Sequence, residues 1–421
     1  MNLVFICLES FPYEGACTNL LANLLSQKEM HDLATIHVLS MSNNTDLPSS
    51  ECIDDIHISR FSSITRMSTR ELLLQSSIKV TKRFREVVLR VRRHLPVLFH
   101  NNSFFTNPSL VSETINAIEQ VLKSNAIDII IPVCGYYEAA VAAMSVCKRK
   151  GIALGIYQVD PCATNRVLPP STYKERMVFE KALYDYAKFV ITTPIIHKEM
   201  EEYLTIDQKS KIWIMEFPNV ALRNIERQRD ESKDIRCLFT GKLYPGARDP
   251  RYTIRLFSCV TDSKIKLELV GVDQASLCRY IGSNPPENVI CRGNMSIEDT
   301  RKEIDLANVL VNIGNVMNNQ VPSKLFEYIA SGKPIINICV NKDCPSIPYM
   351  EKYPLAINLF QSDEQDETIR CQAERLQRFI QSNFDKNIPP DQIQSLFYMC
   401  TPEYCSSIMV QAIKSVKLKE E

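Results

Sequence analysis

Between Val309 and Val340 the sequence takes a form that few folds accommodate. Val309–Ile313 and Ile335–Val340 are short, almost wholly apolar runs, the pattern of strands buried on both faces. A short helix punctuated at both ends lies between them. Pro322 suits a first helical position, where a missing N–H costs nothing, and Gly332 followed by Pro334 is a stop signal. On this helix Leu325, Phe326 and Ile329 supply an apolar stripe. Ser323, Lys324 and Glu327 share the other side, near the positive helix end.

A hydroxyl, an ammonium and backbone N–H groups at a helix start make an anion site, best suited to phosphate. Glu327, one turn further in, would repel that phosphate but accept hydrogen bonds from sugar hydroxyls beside it. A nucleoside diphosphate presents both needs at about that separation. The alternative is a Lys324–Glu327 ion pair on a solvated face, worth a few tenths of a kcal/mol.

Other classes are narrowed by composition. The 421 residues are 45% hydrophobic, enough for two or more domains with substantial cores. Lys+Arg and Asp+Glu both number 49, so the overall charge predicts no nucleic-acid partner. Fifteen cysteines are scattered without CxxC pairs. The nearest spacings, Cys339–Cys344 and Cys400–Cys405, lack accompanying histidines, and no histidine follows His197. Neither a zinc site nor a disulfide framework is expected; reduced thiols in a cytoplasmic protein are. The N-terminal apolar run is too short for a signal peptide, and no stretch approaches the ~20 apolar residues of a membrane-spanning helix. The expected location is cytoplasmic, at most peripheral at the inner face of the membrane.

Along the chain the same punctuation recurs. Leu3–Leu8 reads as a buried strand, followed by a loop bearing Gly15 and a helix from about Leu20. That is how a doubly wound domain begins, with ligands at the strand's carboxyl end. There is no GxGxxG, which argues against a dinucleotide enzyme. Further strands are expected at Thr35–Ser40, Ile56–Phe61, Ile127–Val133, Ile152–Tyr157, Phe189–Thr193 and Lys211–Phe217, with helices at Pro108–Ser124, Ala139–Arg149 and residues 175–189. Residues 78–95 carry seven Lys/Arg against one acid, Glu86, with Phe84, Val87, Val88, Val91 and Leu95 at helical spacing. A basic amphipathic helix of this kind lies on an anionic membrane surface. The competing reading is a core-packed helix with a solvated basic face.

Residues 220–234 lack apolar periodicity and form the expected linker. A second strand-loop-helix start follows at Cys237–Thr240, with Lys242 and Arg248 flanking a turn that bears Gly241 and Gly246. Strands at Lys266–Val270 and Asn288–Cys291 come next, the latter leading into Arg292 and Gly293. Residues 368–417 read as mainly helical. The expected division is 1–219, linker 220–234 and 235–403, with the final helix (about 404–421) returning to the first domain.

Asn-Gln-Val-Pro-Ser-Lys-Leu-Phe-Glu-Tyr-Ile-Ala-Ser-Gly-Lys-Pro-Ile-Ile resembles the nucleotide-sugar motif of retaining GT-B glycosyltransferases of the group 1, or family 4, lineage. The resemblance covers nearly the whole chain in outline and residues 239–340 in detail. It implies two Rossmann-like α/β domains facing a cleft, the second holding a nucleoside diphosphate sugar. It implies transfer of the sugar to a carbohydrate or lipid-linked acceptor, with retention of configuration, in surface polysaccharide or glycoconjugate synthesis. By position, Glu327 matches the glutamate that binds the donor ribose; Ser323, Lys324, Lys242 and Arg248 fall where the family contacts the diphosphate. Arg292 and Gly293 lie near the base, and Gly15 in the acceptor-side loop. Asn319 stands where the family usually has a first glutamate gripping the donor sugar. No Asp-x-Asp occurs, so no divalent metal and no cofactor are expected, and no side chain is singled out as general base. Two rivals remain: a GT-B chain that binds nucleotide sugars without catalysis, and a GT-B epimerase, which would need a carboxylate pair that the sequence does not offer.

Overall fold

The structure is a computed structural model of the chain, and it describes residues 1–421 apart from 14, 67–104, 167, 169, 223–233, 244–247, 283–285, 362–365 and 418–421. The basic segment 78–95, Gly246 and residues 223–233 of the expected linker lie outside the described residues. The chain forms two compact units: Met1–Glu216 with the C-terminal segment from Ser406, and Phe217–Cys405.

In the first unit eight strands lie in the order β3-β4-β2-β1-β5-β6-β7-β8. They are β1 (Asn2–Cys7), β2 (Thr35–Met41), β3 (Ser50–Ile53), β4 (Ile56–Phe61), β5 (Ile129–Pro132), β6 (Ala153–Gln158), β7 (Phe189–Thr192) and β8 (Ile212–Ile214). All pairs are parallel except β3–β4. The apolar runs explain this: β5 and β7 are buried at every position, as strands covered by helices on both faces must be. The covering helix Pro108–Ser124 starts where Asn107 accepts the N–H groups of Ser109 and Leu110 through its side chain. β3 escaped the sequence reading because it is a four-residue edge strand, Ser-Glu-Cys-Ile, without alternation of polar and apolar residues and without a buried position.

The second unit has six strands, all parallel, in the order β11-β10-β9-β12-β13-β14. They are β9 (Ile235–Thr240), β10 (Ile265–Val270), β11 (Val289–Gly293), β12 (Val309–Ile313), β13 (Ile335–Cys339) and β14 (Ala356–Phe360). The chain moves outward from β9 to β11, then crosses back and moves outward again from β12 to β14. The direction reverses between β9 and β12, and ligands of such sheets bind at the carboxyl ends of the two strands flanking that reversal.

Polar groups inside this sheet are paired across strands. Asn312, Asn337 and Asn358 sit in register on β12, β13 and β14, their amides joined at 2.7 Å in each step. Lys333 of the Gly-Lys-Pro turn is buried, its ammonium donating to the carbonyls of Asp305 (2.7 Å) and Ala307 at the end of the Ile297–Leu306 helix. A cation there meets the negative end of the helix and its unsatisfied carbonyls. Across β9, β10 and β11, Arg236 bonds Glu268 through two nitrogens (3.1 and 2.7 Å) and also Glu303; Arg292 bonds Glu268 as well (3.2 and 3.0 Å).

Burial pushes the Glu268 carboxyl up, but hydrogen bonds and charge from Arg236 and Arg292 outweigh it and hold the group below its ordinary range. Removing one charge from such a buried set typically costs about 3–5 kcal/mol. Glu268→Gln should therefore lower the melting temperature of the second unit by roughly 10 °C at neutral pH. Because the folded-state pKa is depressed, this contribution is present above the ordinary carboxylate pKa and disappears as pH falls through the folded value. The difference between Glu268→Gln and the unaltered chain should narrow steadily below about pH 4; urea titrations from pH 7 to pH 3 check it.

Candidate functional site at the carboxyl edge of the second sheet

The carboxyl ends of β9 and β12 bring together residues far apart in sequence. After β12 the chain passes Gly314 to Asn315, whose side-chain oxygen accepts from Arg248 Nε (3.1 Å) and Nη2 (2.9 Å). Arg248 comes from the turn after β9, so Asn315 holds that guanidinium across the point where strand order reverses. Lys242, two residues past the end of β9, is exposed. Close approach of the strand ends is possible because Gly271, at φ +84°, lies against the Gly241 carbonyl; a Cβ there would be 2.8 Å from that oxygen.

The Lys324–Ala330 helix supplies the other wall. It begins two residues later than the position of Pro322 predicts. Pro322 sits in the preceding turn, and the N–H groups of Leu325 and Phe326 are bonded to the carbonyls of Pro322 and Ser323 at 3.0 and 3.2 Å. Two of the backbone donors expected for an anion are thus already engaged. The Ser323 side chain makes no capping bond, and its carbonyl accepts from Asn219 at 3.2 Å. Lys324 Nζ reaches Glu327 Oε2 at 2.9 Å, with side chains 30% and 14% exposed. The ion pair weighed as the alternative reading is therefore present, and it faces outward enough to open toward a ligand.

Tyr328, fully buried beside this pair, ties the helix to the sheet. Its oxygen accepts the Thr240 N–H at 2.8 Å and lies 3.0 Å from the Thr240 hydroxyl. Burial pushes the phenol up to about 12 despite the Thr240 bonds; Glu327 adds to the rise and Arg248 opposes it. The phenol is neutral at pH 7, and the charges of Glu327 and Arg248 both reach it. Asn315, Tyr328 and Thr240 were not singled out from sequence. The available signal was positional: a polar residue just past a strand end, and a tyrosine on an otherwise apolar helix face.

Asn319 is 1% exposed. The Arg292 guanidinium, directed at Glu268, is occupied in the ionic cluster; the Gly293 carbonyl accepts the Gly271 N–H at 2.8 Å. Gly15 lies in the first unit, just before the Ala16–Leu25 helix. It has φ +112°, and a Cβ on it would lie 2.0 Å from Glu9 Oε2. That Glu9 oxygen accepts from the Thr18 N–H (3.1 Å) and hydroxyl (3.3 Å) at the start of the same helix. The helix start following β1 thus already holds a carboxylate, whereas the turn following β9 carries two cationic residues. Among the described residues, no three His, Cys, Asp or Glu side chains converge as metal ligands, and no helix is long and apolar enough to cross a membrane.

No family model and no curated protein sequence matches the chain. Solved structures do match it along their whole length. Sucrose-phosphate synthase from Thermosynechococcus elongatus gives a TM-score of 0.65 at 12% identity, with 100% of each chain covered. The lipopolysaccharide outer core galactosyltransferase WaaB gives 0.57 at 15% identity, covering 99% of each. The α,α-trehalose-phosphate synthase (UDP-forming) from Burkholderia xenovorans, in complex with glucose-6-phosphate, gives 0.62 at 8% identity, covering 99% of this chain and 100% of the other. The chain has the GT-B fold, with two Rossmann-like α/β domains.

The geometry separates a structural tie from a surface pair. Tyr328→Phe leaves the buried Thr240 N–H without its acceptor, a loss of about 1–3 kcal/mol. Lys324→Ala removes only a half-exposed ion pair and should cost less than about 1 kcal/mol. Urea unfolding of the two variants should rank them in that order.

Proposed function

We propose that the protein is a glycosyltransferase that takes its sugar from a nucleoside diphosphate donor held by the second unit. The observation that carries this reading is the contrast in charge at equivalent places. The first unit fills its leading helix start with Glu9, and the second sets Lys242, Arg248 and Lys324 around the reversal of strand order. A diphosphate belongs beside the second group. Whole-length likeness to enzymes that act on sugars and sugar phosphates supports the same reading.

In the proposed reaction the bond from the sugar's anomeric carbon to the diphosphate breaks. The acceptor oxygen bonds to that carbon on the same face, and its proton passes to the departing phosphate. Lys242, Arg248 and Lys324 act where negative charge grows on the leaving group, which is where fixed cations accelerate such a step. Ser323 adds a hydroxyl to the diphosphate, Glu327 accepts from the ribose hydroxyls, and Asn319 addresses the donor sugar. The acceptor is a carbohydrate or a lipid-linked carbohydrate, bound by the first unit, and the configuration is retained without a divalent metal. The physiological setting is synthesis of surface polysaccharide or glycoconjugate at the cytoplasmic side of a membrane, with residues 78–95 as the membrane contact.

A second reading, nucleotide-sugar binding without turnover, is favoured by one observation. Asn319 stands in place of a carboxylate and is almost wholly buried. Incubation with a panel of nucleoside diphosphate sugars and acceptors, followed by mass analysis and assignment of the product's anomeric configuration, separates the two. Formation of a glycosylated product of unchanged configuration is expected; binding with no product leaves the second reading.

Binding itself is testable without an acceptor. A nucleoside diphosphate at a hundredfold excess over its dissociation constant should stabilise the chain by about 2.7 kcal/mol. Glu327→Ala should remove a charged hydrogen bond of about 1.5–3 kcal/mol, a loss of roughly ten- to hundredfold in affinity. Asn319→Ala should weaken intact donor far more than free nucleotide. Equal losses for donor and nucleotide would remove Asn319 from the sugar contact.

A further inference from the structure

The first unit contains a buried acid and a buried base that the proposed reaction does not use. Arg176 and Glu180 lie one turn apart on the helix Tyr173–Tyr186 and are 2% and 0% exposed. Burying such groups is costly unless hydrogen bonds match them. Glu180 accepts from Gln158 on β6 at 2.9 Å and from the Ala163 N–H, in the loop after that strand, at 3.3 Å. It also accepts from the Tyr203 hydroxyl at 2.5 Å, just past the helix Pro194–Met200. Arg176 donates to the carbonyls of Cys162 at 3.0 Å and Asn165 at 2.6 Å in the same loop. One helix thus fixes the loop and Tyr203 against each other through its buried pair.

Between these segments is a cavity of about 680 Å³. Asn165 and Arg166 line it from the loop, Tyr173 and Arg176 from the helix, and Glu199 and Tyr203 from the far side. Pockets of roughly 300–1,000 Å³ enclose ligands of drug size, so there is room for more than one sugar ring. The lining penalises charge of either sign. Arg166 is paired with Glu199 at 3.5 Å, and Glu202 brings a second carboxylate. An anion would have to displace Glu199 from Arg166 or take Arg176 from the loop carbonyls. A cation would meet two guanidinium groups. Uncharged hydroxyls meet neither penalty, because they accept from Arg166 and donate to Glu199 without separating the pair. Tyr173, 41% exposed, offers an aromatic face on which the apolar side of a sugar ring packs.

We infer that this cavity is a saccharide-binding site for two or more linked, uncharged sugar units. The binding stands apart from the proposed function. Only the role of the bound saccharide as part of the acceptor rests on that reading, which assigns the acceptor to the first unit.

Binding is measured on the full chain by isothermal titration with glucose, lactose, maltotriose and N-acetylated chitotriose, and with glucose-6-phosphate as the charged control. At least one of the two trisaccharides should bind roughly tenfold more tightly than glucose, and glucose-6-phosphate no better than glucose. Tyr173→Ala and Arg166→Ala, both at exposed positions, should each weaken that binding by roughly tenfold with the melting temperature unchanged. Tyr173→Phe, which keeps the ring, should bind as the unaltered chain does. Absence of binding by lactose and both trisaccharides overturns the proposal, as does binding that neither alanine variant weakens. Tighter binding of glucose-6-phosphate than of every neutral sugar overturns it too. Nucleotide binding and turnover are read separately. Saccharide binding in a chain that transfers no sugar leaves this site in place while the transferase reading fails. Transfer to an acceptor whose KM is the same in Tyr173→Ala removes the acceptor from the cavity while the transferase reading stands.

Discussion

A parallel sheet cannot leave either face to water, because its strands are apolar on both sides and each must be reached by a crossover. That constraint governs the second unit. With crossovers of one hand, a chain that winds outward from β9 and then outward again from β12 must reverse direction between them, and the reversal leaves a notch at the strands' carboxyl ends. Everything argued for the site lies in or beside that notch. Arg248 enters from one strand's loop and Asn315 from the other's, and Tyr328 pins the Lys324–Ala330 helix to the end of β9. The site is a consequence of topology before it is a matter of particular side chains.

Much of this was legible in the sequence because burial leaves a periodic trace. The apolar runs of four to seven residues located most strands of both sheets, and Gly332 with Pro334 marked the end of the Lys324–Ala330 helix. Partners leave no such trace. Arg248 and Asn315 are 67 positions apart, and Tyr328 is 88 from Thr240, so neither pair is visible until the strands are in register. Arg292 shows the converse: as an isolated basic residue after a strand it looked available to a ligand, whereas Glu268 on the neighbouring strand claims it. Pro322 misled by two residues for a local reason. Its ring suits a tight turn as well as a first helical position, and the carbonyls of Pro322 and Ser323 close that turn.

The amide row across β12, β13 and β14 gives the notch a rigid floor. Asn337 uses its whole capacity: its oxygen accepts from Asn312 and Ser346, and its nitrogen donates to Asn358 and Cys339. A slip of one residue in either strand would turn the facing amide to the opposite side of the sheet and leave buried polar atoms without partners, at about 1–3 kcal/mol for each. Register is thereby fixed close to where Gly314 and Asn315 leave β12.

The two units solve the same topological problem with opposite charge. At the reversal in the first sheet, between β1 and β5, the helix start after β1 is satisfied by Glu9, and a glycine at position 15 is required because the carboxylate occupies the space of a side chain. A second anion there would meet like charge in a half-buried setting, where repulsion is weakly screened. The reversal in the second sheet carries Lys242, Arg248 and Lys324, and the acid Glu327 beside them is matched by Lys324. The proposed transfer from a charged donor to a hydroxyl-bearing acceptor asks for this asymmetry: cations where the leaving group would depart, and acceptors of hydrogen bonds where hydroxyls would be bound. Both sheets reverse direction at one point, and the residues at the two reversals differ in the sign of their charge.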